Sequence, residues 1–219
     1  MVDSVFSPRS ALHSIAKEGR YGKPTGCPGV RAHLLDPLGL VLVMPARGKA
    51  GDCLARLASI FGDELTHATA RRLVRGEGLD LVWAGPNQYL AIMAGETDLA
   101  GRIRELCGDT AAVIDQSDGR FALRLTGPCV RQTLAKGISI DLHPRVFVPG
   151  ETALVQLVHS QMQLTLVDGS PTFDLIGPRA AAGDVWSWLL TSAGQFGLEV
   201  DRSQSSAAVG ASNVGDAQR

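Results

Sequence analysis

The sequence predicts an α+β fold made of two tandem halves, each a split βαβ, ferredoxin-like unit of mixed sheet with its helices on one face. Three observations predict this class. Short apolar runs alternate with segments of helical period, and Gly, Pro and Asn mark the reversals between neighbouring runs. The order strand, helix, strands, helix then occurs a second time, at an offset of about 83 residues.

The same pattern predicts how the chain is divided. The divisions are an extended leader over residues 1–35, a first α+β half over 36–112, a second over 113–200 and a disordered tail over 201–219. The leader mixes Ser, Pro, Gly and charge without a sustained period, so it cannot form a core of its own. The tail is almost entirely small and polar, which is typical of a frayed terminus.

Each element of the first half follows from local spacing. The predicted elements are a strand at 40–44, a helix at 52–61, strands at 79–83 and 89–93, and a helix at 99–107. The first strand is a continuous apolar run stopped by Pro45, which is typical of a strand buried on both faces. Cys53, Leu57 and Ile60 recur on one face at helical spacing. Gly108 ends the second helix.

The second half repeats this order. The predicted elements are a strand at 121–125, a helix at 130–136, strands at 153–158, 163–167 and 172–176, and a helix at 178–193. In the first of these strands Phe121, Leu123 and Leu125 alternate with Ala122 and Arg124, so we expect it to be half-buried.

Composition narrows the range of partners. The 219 residues are 45% hydrophobic and 20% charged, and 21 Lys and Arg against 22 Asp and Glu leave a formal charge of −1. Nucleic acid is therefore not an expected partner. The longest apolar stretch, residues 38–46, is far shorter than the roughly 20 residues that cross a bilayer, so no membrane partner is expected. The first 22 residues lack the apolar core of a signal peptide.

The four cysteines are scattered along the chain, with no two at metal-ligand spacing. They are Cys27, Cys53, Cys107 and Cys129. A chain of this length does not need a disulfide framework. We therefore expect reduced thiols that serve as small buried hydrophobes, in a cytoplasmic protein.

No motif in the sequence predicts a catalytic, cofactor-binding or metal-ligating residue. The segment Gly76-Glu77-Gly78 lacks the remainder of a dinucleotide fingerprint, and no phosphate-binding Gly-Lys-Ser or Gly-Lys-Thr occurs. The five histidines lie far apart and do not pair with other ligands at helical spacing. We expect His143 to lie in a loop and bond the backbone.

Two further features are interpreted structurally. Ser117 stands between Asp115 and Asp118, but without a nucleophile-elbow motif we expect Asp115 and Ser117 to fix a turn, with Gly119 supplying backbone freedom. Trp186 and Trp188 are two residues apart on a helix and point in different directions. One is expected to enter the core and the other to remain partly exposed as a subunit contact.

The segment Asp-Gln-Ser-Asp-Gly-Arg-Phe-Ala-Leu-Arg-Leu-Thr-Gly-Pro at residues 115–128 resembles the gamma subunit family of heterotetrameric sarcosine oxidase. Leu134, Lys136-Gly137 and the stretch 141–144 continue the resemblance, as do residues 171–173 and 186–190. A more distant similarity is to the folate-binding aminomethyltransferase family of the glycine cleavage T-protein. That similarity supports the fold more than an activity.

The resemblance implies an accessory, non-catalytic chain in a complex with alpha, beta and delta subunits. Such a complex oxidatively demethylates sarcosine to glycine, forms hydrogen peroxide and passes the one-carbon unit to tetrahydrofolate. The resemblance also implies that the complex contains FAD, FMN, NAD and tetrahydrofolate. The large alpha and beta subunits would carry these cofactors, and this chain would carry none. The alternative that the distant similarity leaves open is a free-standing folate-binding aminomethyltransferase-like protein.

Overall fold

The computed structural model describes residues 10–23, 26–35, 38–61, 65, 70–76, 78–95 and 98–201. Up to residue 115 these contain β1 Gly19–Tyr21, β2 Val30–Leu34, β3 Leu38–Pro45, α1 Ala50–Phe61, β4 Leu73–Arg75, β5 Leu79–Gly85, β6 Gln88–Ala94, α2 Leu99–Cys107 and β7 Ala111–Asp115. Beyond it follow β8 Arg120–Thr126, α3 Val130–Leu134, β9 Thr152–Leu157, β10 Ser160–Asp168, β11 Thr172–Pro178, α4 Ala182–Ala193 and β12 Leu198–Asp201.

The strands form two sheets, which confirms the α+β class. A five-stranded sheet has the order β4-β5-β6-β3-β7, and every pair described in it is antiparallel. The prediction of a mixed sheet is therefore wrong for this half. A seven-stranded sheet has the order β1-β12-β2-β8-β11-β10-β9 and is mixed, because β12 runs parallel to β2.

The elements stack in four layers. Helices α1 and α2 cover the outer face of the five-stranded sheet, where Leu57 and Ile103 are fully buried. Helices α3 and α4 cover the outer face of the seven-stranded sheet, with Leu134 and Leu189 in its core. The two inner faces meet through a small apolar cluster of Leu40, Val82, Leu90, Ile92, Ala122 and Ile176. Among the described residues, the helices that pack on each sheet therefore lie on one of its faces.

The order of elements repeats along the chain. The series β3, α1, β4, β5, β6, α2, β7 matches β8, α3, β9, β10, β11, α4, β12, and the first strands begin at Leu38 and Arg120, 82 residues apart. Strands β5-β6-β3-β7 lie side by side, as do β10-β11-β8, but β2 separates β8 from β12. The predicted boundary at 112/113 falls inside β7, which belongs to the five-stranded sheet.

The described part of the predicted leader packs into the larger sheet. Strand β2 pairs with both β8 and β12, and Leu12 and Val30 are fully buried in the core of that sheet. An ideal Cβ on Gly22 would lie 2.2 Å from the Gly194 carbonyl oxygen, and the Gly22 φ is +75°. Glycine is therefore required at this contact between the leader and the end of α4.

Strand β8 is buried on both faces, not half-buried, because Ala122 on its inner face packs against the five-stranded sheet while Leu123 faces the helices. Strand β12 ends at Asp201, so the predicted disordered tail lies outside the described residues from 202 onward. Within the part of the chain that the structure describes, no helix has the length and apolar character needed to span a membrane.

Candidate functional site

The turn between β7 and β8 is fixed by side-chain oxygens, as predicted. Both the backbone N–H and the hydroxyl of Ser117 donate to Asp115 Oδ1, at 2.9 and 2.7 Å. The expectation for Gly119 is wrong, because its φ lies outside the left-handed region and a Cβ would meet the nearest atom at 3.6 Å, an ordinary contact.

This turn also joins the two sheets. Ser117 Oγ accepts a hydrogen bond from the Leu40 N–H at 3.1 Å, and the Gln116 N–H donates to the Leu40 carbonyl at 2.8 Å. The Arg179 N–H donates to the Gly119 carbonyl at 2.9 Å. The segment in which the family resemblance begins therefore connects the two sheets. Within it, the Ser117 hydroxyl already accepts one hydrogen bond and donates another.

His143 lies in the loop that follows α3. Its backbone N–H donates to Asp141 Oδ1 at 2.8 Å, and its Nδ1 accepts from the Arg145 N–H at 3.2 Å. The prediction of a loop histidine bonded to the backbone is confirmed. Within the described residues there is no group of three or more side chains able to hold a metal ion.

The cysteines fall into two classes. Cys53 and Cys107 are fully buried, as expected, and the Cys107 thiol donates to the Cys53 sulfur, which lowers the pKa of Cys53. The same hydrogen bond, together with burial, raises the pKa of Cys107. Cys129 is half-buried and Cys27 is exposed, so the prediction of burial is wrong for Cys27.

The two tryptophans of α4 divide as predicted. The Trp186 side chain is buried in the core of the larger sheet, where its ring meets Tyr21 edge to face at 6.3 Å. Trp188 is half-buried and packs at the margin of the same core. Its ring covers Gly137, where an ideal Cβ would lie 2.7 Å from a ring carbon.

Sequence reasoning missed a charged cluster between the sheets. Arg124 on β8 donates from Nε and a terminal nitrogen to the two carboxylate oxygens of Asp174 on β11, at 2.7 and 2.8 Å. Asp80 on β5 is 5% exposed, and its Oδ1 has no hydrogen-bond partner among the residues that the structure describes. Burial raises the pKa of Asp80 to about 6, although Arg75 and Arg124 oppose the rise and Asp174 adds to it.

The available signal for this cluster is one charge inside each of three apolar strands. Asp80 interrupts Leu79–Gly85, Arg124 interrupts Arg120–Thr126 and Asp174 interrupts Thr172–Pro178. Charged residues are seldom buried unless they are paired. The sequence alone does not show that these three charged residues lie in one buried layer. That becomes clear only when the order of the strands in the sheets is known.

A small pocket of about 70 Å³ also opens between the inner faces of the sheets. Its polar lining consists of Gln88 from β6, Gln161 and Gln163 from β10, and Arg120 from β8. Pockets that hold drug-sized ligands or cofactors occupy about 300–1,000 Å³. This pocket therefore does not fit a flavin or a folate.

Comparison with known proteins shows which family the chain is similar to. Residues 47–195 match the model of the sarcosine oxidase, gamma subunit family. The chain belongs to this family. A sarcosine oxidase subunit gamma from Arthrobacter sp is 32% identical over 148 residues, which are 67% of this chain and 71% of that protein.

Two solved structures share the fold. A chain of the heterotetrameric sarcosine oxidase from Corynebacterium sp. U-96, in complex with pyrrole 2-carboxylate, superimposes with a TM-score of 0.71 at 19% identity, covering 86% of this chain and 95% of that one. Glycine cleavage system aminomethyltransferase T from Bartonella henselae gives a TM-score of 0.64 at 15% identity, covering 89% of this chain and 59% of that one. The predicted similarity in fold to the T-protein is therefore confirmed.

Proposed function

We propose that the chain is the accessory gamma-type subunit of a heterotetrameric sarcosine oxidase, an oxidoreductase. The observation that carries this proposal is the family match over residues 47–195. It is supported by the named subunit gamma relative, which is 32% identical. The chain supplies shape and contact surface, and its partners are the alpha, beta and delta subunits.

The bond-making chemistry belongs to the partner chains in this proposal. The complex oxidatively demethylates sarcosine to glycine, forms hydrogen peroxide and transfers the one-carbon unit to tetrahydrofolate, with FAD, FMN, NAD and tetrahydrofolate bound elsewhere in the assembly. Two observations support this division: Ser117, which stands between two aspartates in the sequence, is bonded into a turn, and the inter-sheet pocket is far smaller than pockets that hold cofactors. We further propose that the assembly is cytoplasmic.

We also propose that the chain is organised as a leader over 1–35, halves over 36–112 and 113–200, and a tail over 201–219, with both halves derived from one ferredoxin-like unit. The repeated order of elements supports two halves, and β7, which contains the 112/113 boundary, belongs to the first of them. The strand β2 between β8 and β12 then marks where the leader was inserted into the second half.

Trp188 is the proposed anchor for a partner subunit. Tryptophan is enriched among the few residues that carry most of the binding energy of an interface, and truncation of such a residue costs about 2 kcal/mol or more in binding. Trp188→Ala should therefore lower the yield of assembled oxidase. The control is Thr191→Ala, one turn further along α4 at an exposed position. Equal yields of assembled oxidase for the two variants would show that Trp188 is not an interface anchor.

The experiment that tests the function is co-expression of the four subunits with and without this chain. We expect the chain to co-purify with the other three and its omission to prevent assembly or abolish sarcosine oxidation. A complete, fully active oxidase that lacks the chain would refute the proposal. The aminomethyltransferase alternative requires the isolated chain to bind tetrahydrofolate, so calorimetric titration with tetrahydrofolate distinguishes the two.

A further inference from the structure

The pocket between the two sheets is lined by Arg120, a cation that pairs with no carboxylate among the described residues. Arg120 begins β8, and its Nε donates to the uncharged amide oxygen Oε1 of Gln116. Partial burial lowers the pKa of Arg120 through loss of solvation, and among the described residues no carboxylate forms an ion pair with it. A partly buried charge without a counter-ion is unfavourable, and a bound anion relieves that cost.

The neighbouring arginine on the same strand shows the contrast. Arg120 and Arg124 are four residues apart on β8, and the alternation of a strand therefore places them on the same face, toward the other sheet. Arg124 already has a bidentate partner in Asp174, at 2.7 and 2.8 Å. The fold thus neutralises Arg124, whereas Arg120, which has no carboxylate partner among the described residues, lines the pocket.

The remaining lining is neutral and partly preorganised. Gln163 is 2% exposed, and its Nε2 donates to the Trp83 carbonyl at 3.1 Å and to Thr152 Oγ1. Both N–H groups of this amide are therefore used within the protein, and only its oxygen can bond a ligand. Gln88 and Gln161 add two further amides, and leucine and methionine side chains complete the wall. The Gln88 and Gln161 amides can donate and accept, and the Gln163 oxygen can accept, so the three suit a polar group beside a carboxylate.

The pocket volume limits the size of the ligand. It measures about 70 Å³, and holding one water takes roughly 10–15 Å³ of space measured in this way. This space accepts a molecule of roughly four to six non-hydrogen atoms, far below the roughly 300 Å³ of pockets for drug-sized ligands.

We propose that this pocket binds a small monocarboxylate, of the size of a short amino acid, with Arg120 holding the carboxylate and the glutamine amides bonding the polar group next to it. The site is a property of this chain alone and does not depend on the proposed function. One charge-assisted contact and a small apolar wall correspond to a dissociation constant in about the millimolar range.

The test is a titration of the full-length, isotope-labelled chain with acetate, glycine and sarcosine, followed by the NMR resonances of the glutamine side-chain amides. We expect saturable shifts at Gln161 and Gln163 for at least one of these probes, and no comparable shifts for acetamide, the uncharged analogue of acetate. Comparing the chemical-shift changes caused by acetate with those caused by the two amino acids then shows whether the glutamine amides bind an amino group next to the carboxylate. Absence of saturable shifts at about 50 mM probe, or equal binding of acetamide, would overturn the proposal.

Two variants make the test specific. Arg120→Gln should weaken binding at least about tenfold, whereas Arg104→Gln, which removes an exposed arginine from α2, should leave it unchanged. Gln161→Glu places a competing carboxylate at an exposed position of the rim, so it should abolish binding without disturbing the fold. If Arg120→Gln fails to fold, Gln161→Glu decides, and undiminished affinity in that variant would refute the assignment.

Discussion

Replacing Asp80 by Asn tests the charged layer between the sheets, because it removes a charge and keeps the shape of the side chain. Burial raises the pKa of Asp80 from its ordinary 3.8 to about 6. At 1.36 kcal/mol per pH unit, this corresponds to about 3 kcal/mol of destabilisation once Asp80 is ionised. That figure already includes the attraction of Arg75 and Arg124 for the carboxylate.

The sign of the pH dependence follows from the raised pKa. The folded state holds the Asp80 proton more tightly than the unfolded state, so the stabilising contribution is fully present below pH 3.8 and is lost as the pH rises through about 6. The Asp80→Asn variant does not lose this stability as the pH rises, because asparagine has no carboxyl group to ionise. Its free energy of unfolding should exceed that of the wild type by about 3 kcal/mol near about pH 8, and by roughly half as much near about pH 5.

The assay is urea unfolding of both proteins at the two pH values, followed by circular dichroism. Asp118→Asn is the matched control, because Asp118 is exposed on the β7–β8 turn and its substitution should change stability by no more than about 0.5 kcal/mol. An Asp80→Asn variant that is no more stable than the wild type near about pH 8, or whose advantage does not depend on pH, would refute the reasoning.

Other predictions follow from single contacts. Gly22→Ala should lower the free energy of unfolding by more than about 1 kcal/mol because its Cβ has no room, whereas Gly183→Ala, in open space on α4, should raise it by roughly 0.5–1 kcal/mol; thermal unfolding of both checks this. Ser117→Ala should cost about 1 kcal/mol in the same assay, and no loss would exclude its role in joining the sheets. In a native thiol titration Cys27 should react fast and Cys53 only on unfolding; equal rates would contradict their burial.

The sequence was sufficient for elements whose signal is local. The helices at 50–61 and 99–107 and the hairpin of β5 and β6 follow from apolar spacing and turn residues, and they lie within two residues of prediction. Strands β1, β2, β4, β7 and β12 were missed because they are short and gain their stability from long-range pairing, such as Val30 beside Leu198. No local pattern reveals a partner that is 168 residues away along the chain.

The candidate sites were predictable to different degrees. The turn at Asp115 and Ser117 was predicted correctly, because Asx-type bonding depends on neighbours in sequence. The cluster of Asp80, Arg124 and Asp174 could not be predicted, because it requires the inner faces of two sheets to meet. The burial of β8 on its second face was missed for the same reason.

The division of labour between this chain and its partners is tested by a single comparison. The absorbance spectrum and the sarcosine-dependent release of hydrogen peroxide are measured for the purified chain and for the four-subunit complex. We predict a colourless, inactive chain and a yellow, active complex. A chain that is yellow on its own, or that releases peroxide from sarcosine without its partners, would contradict an accessory role.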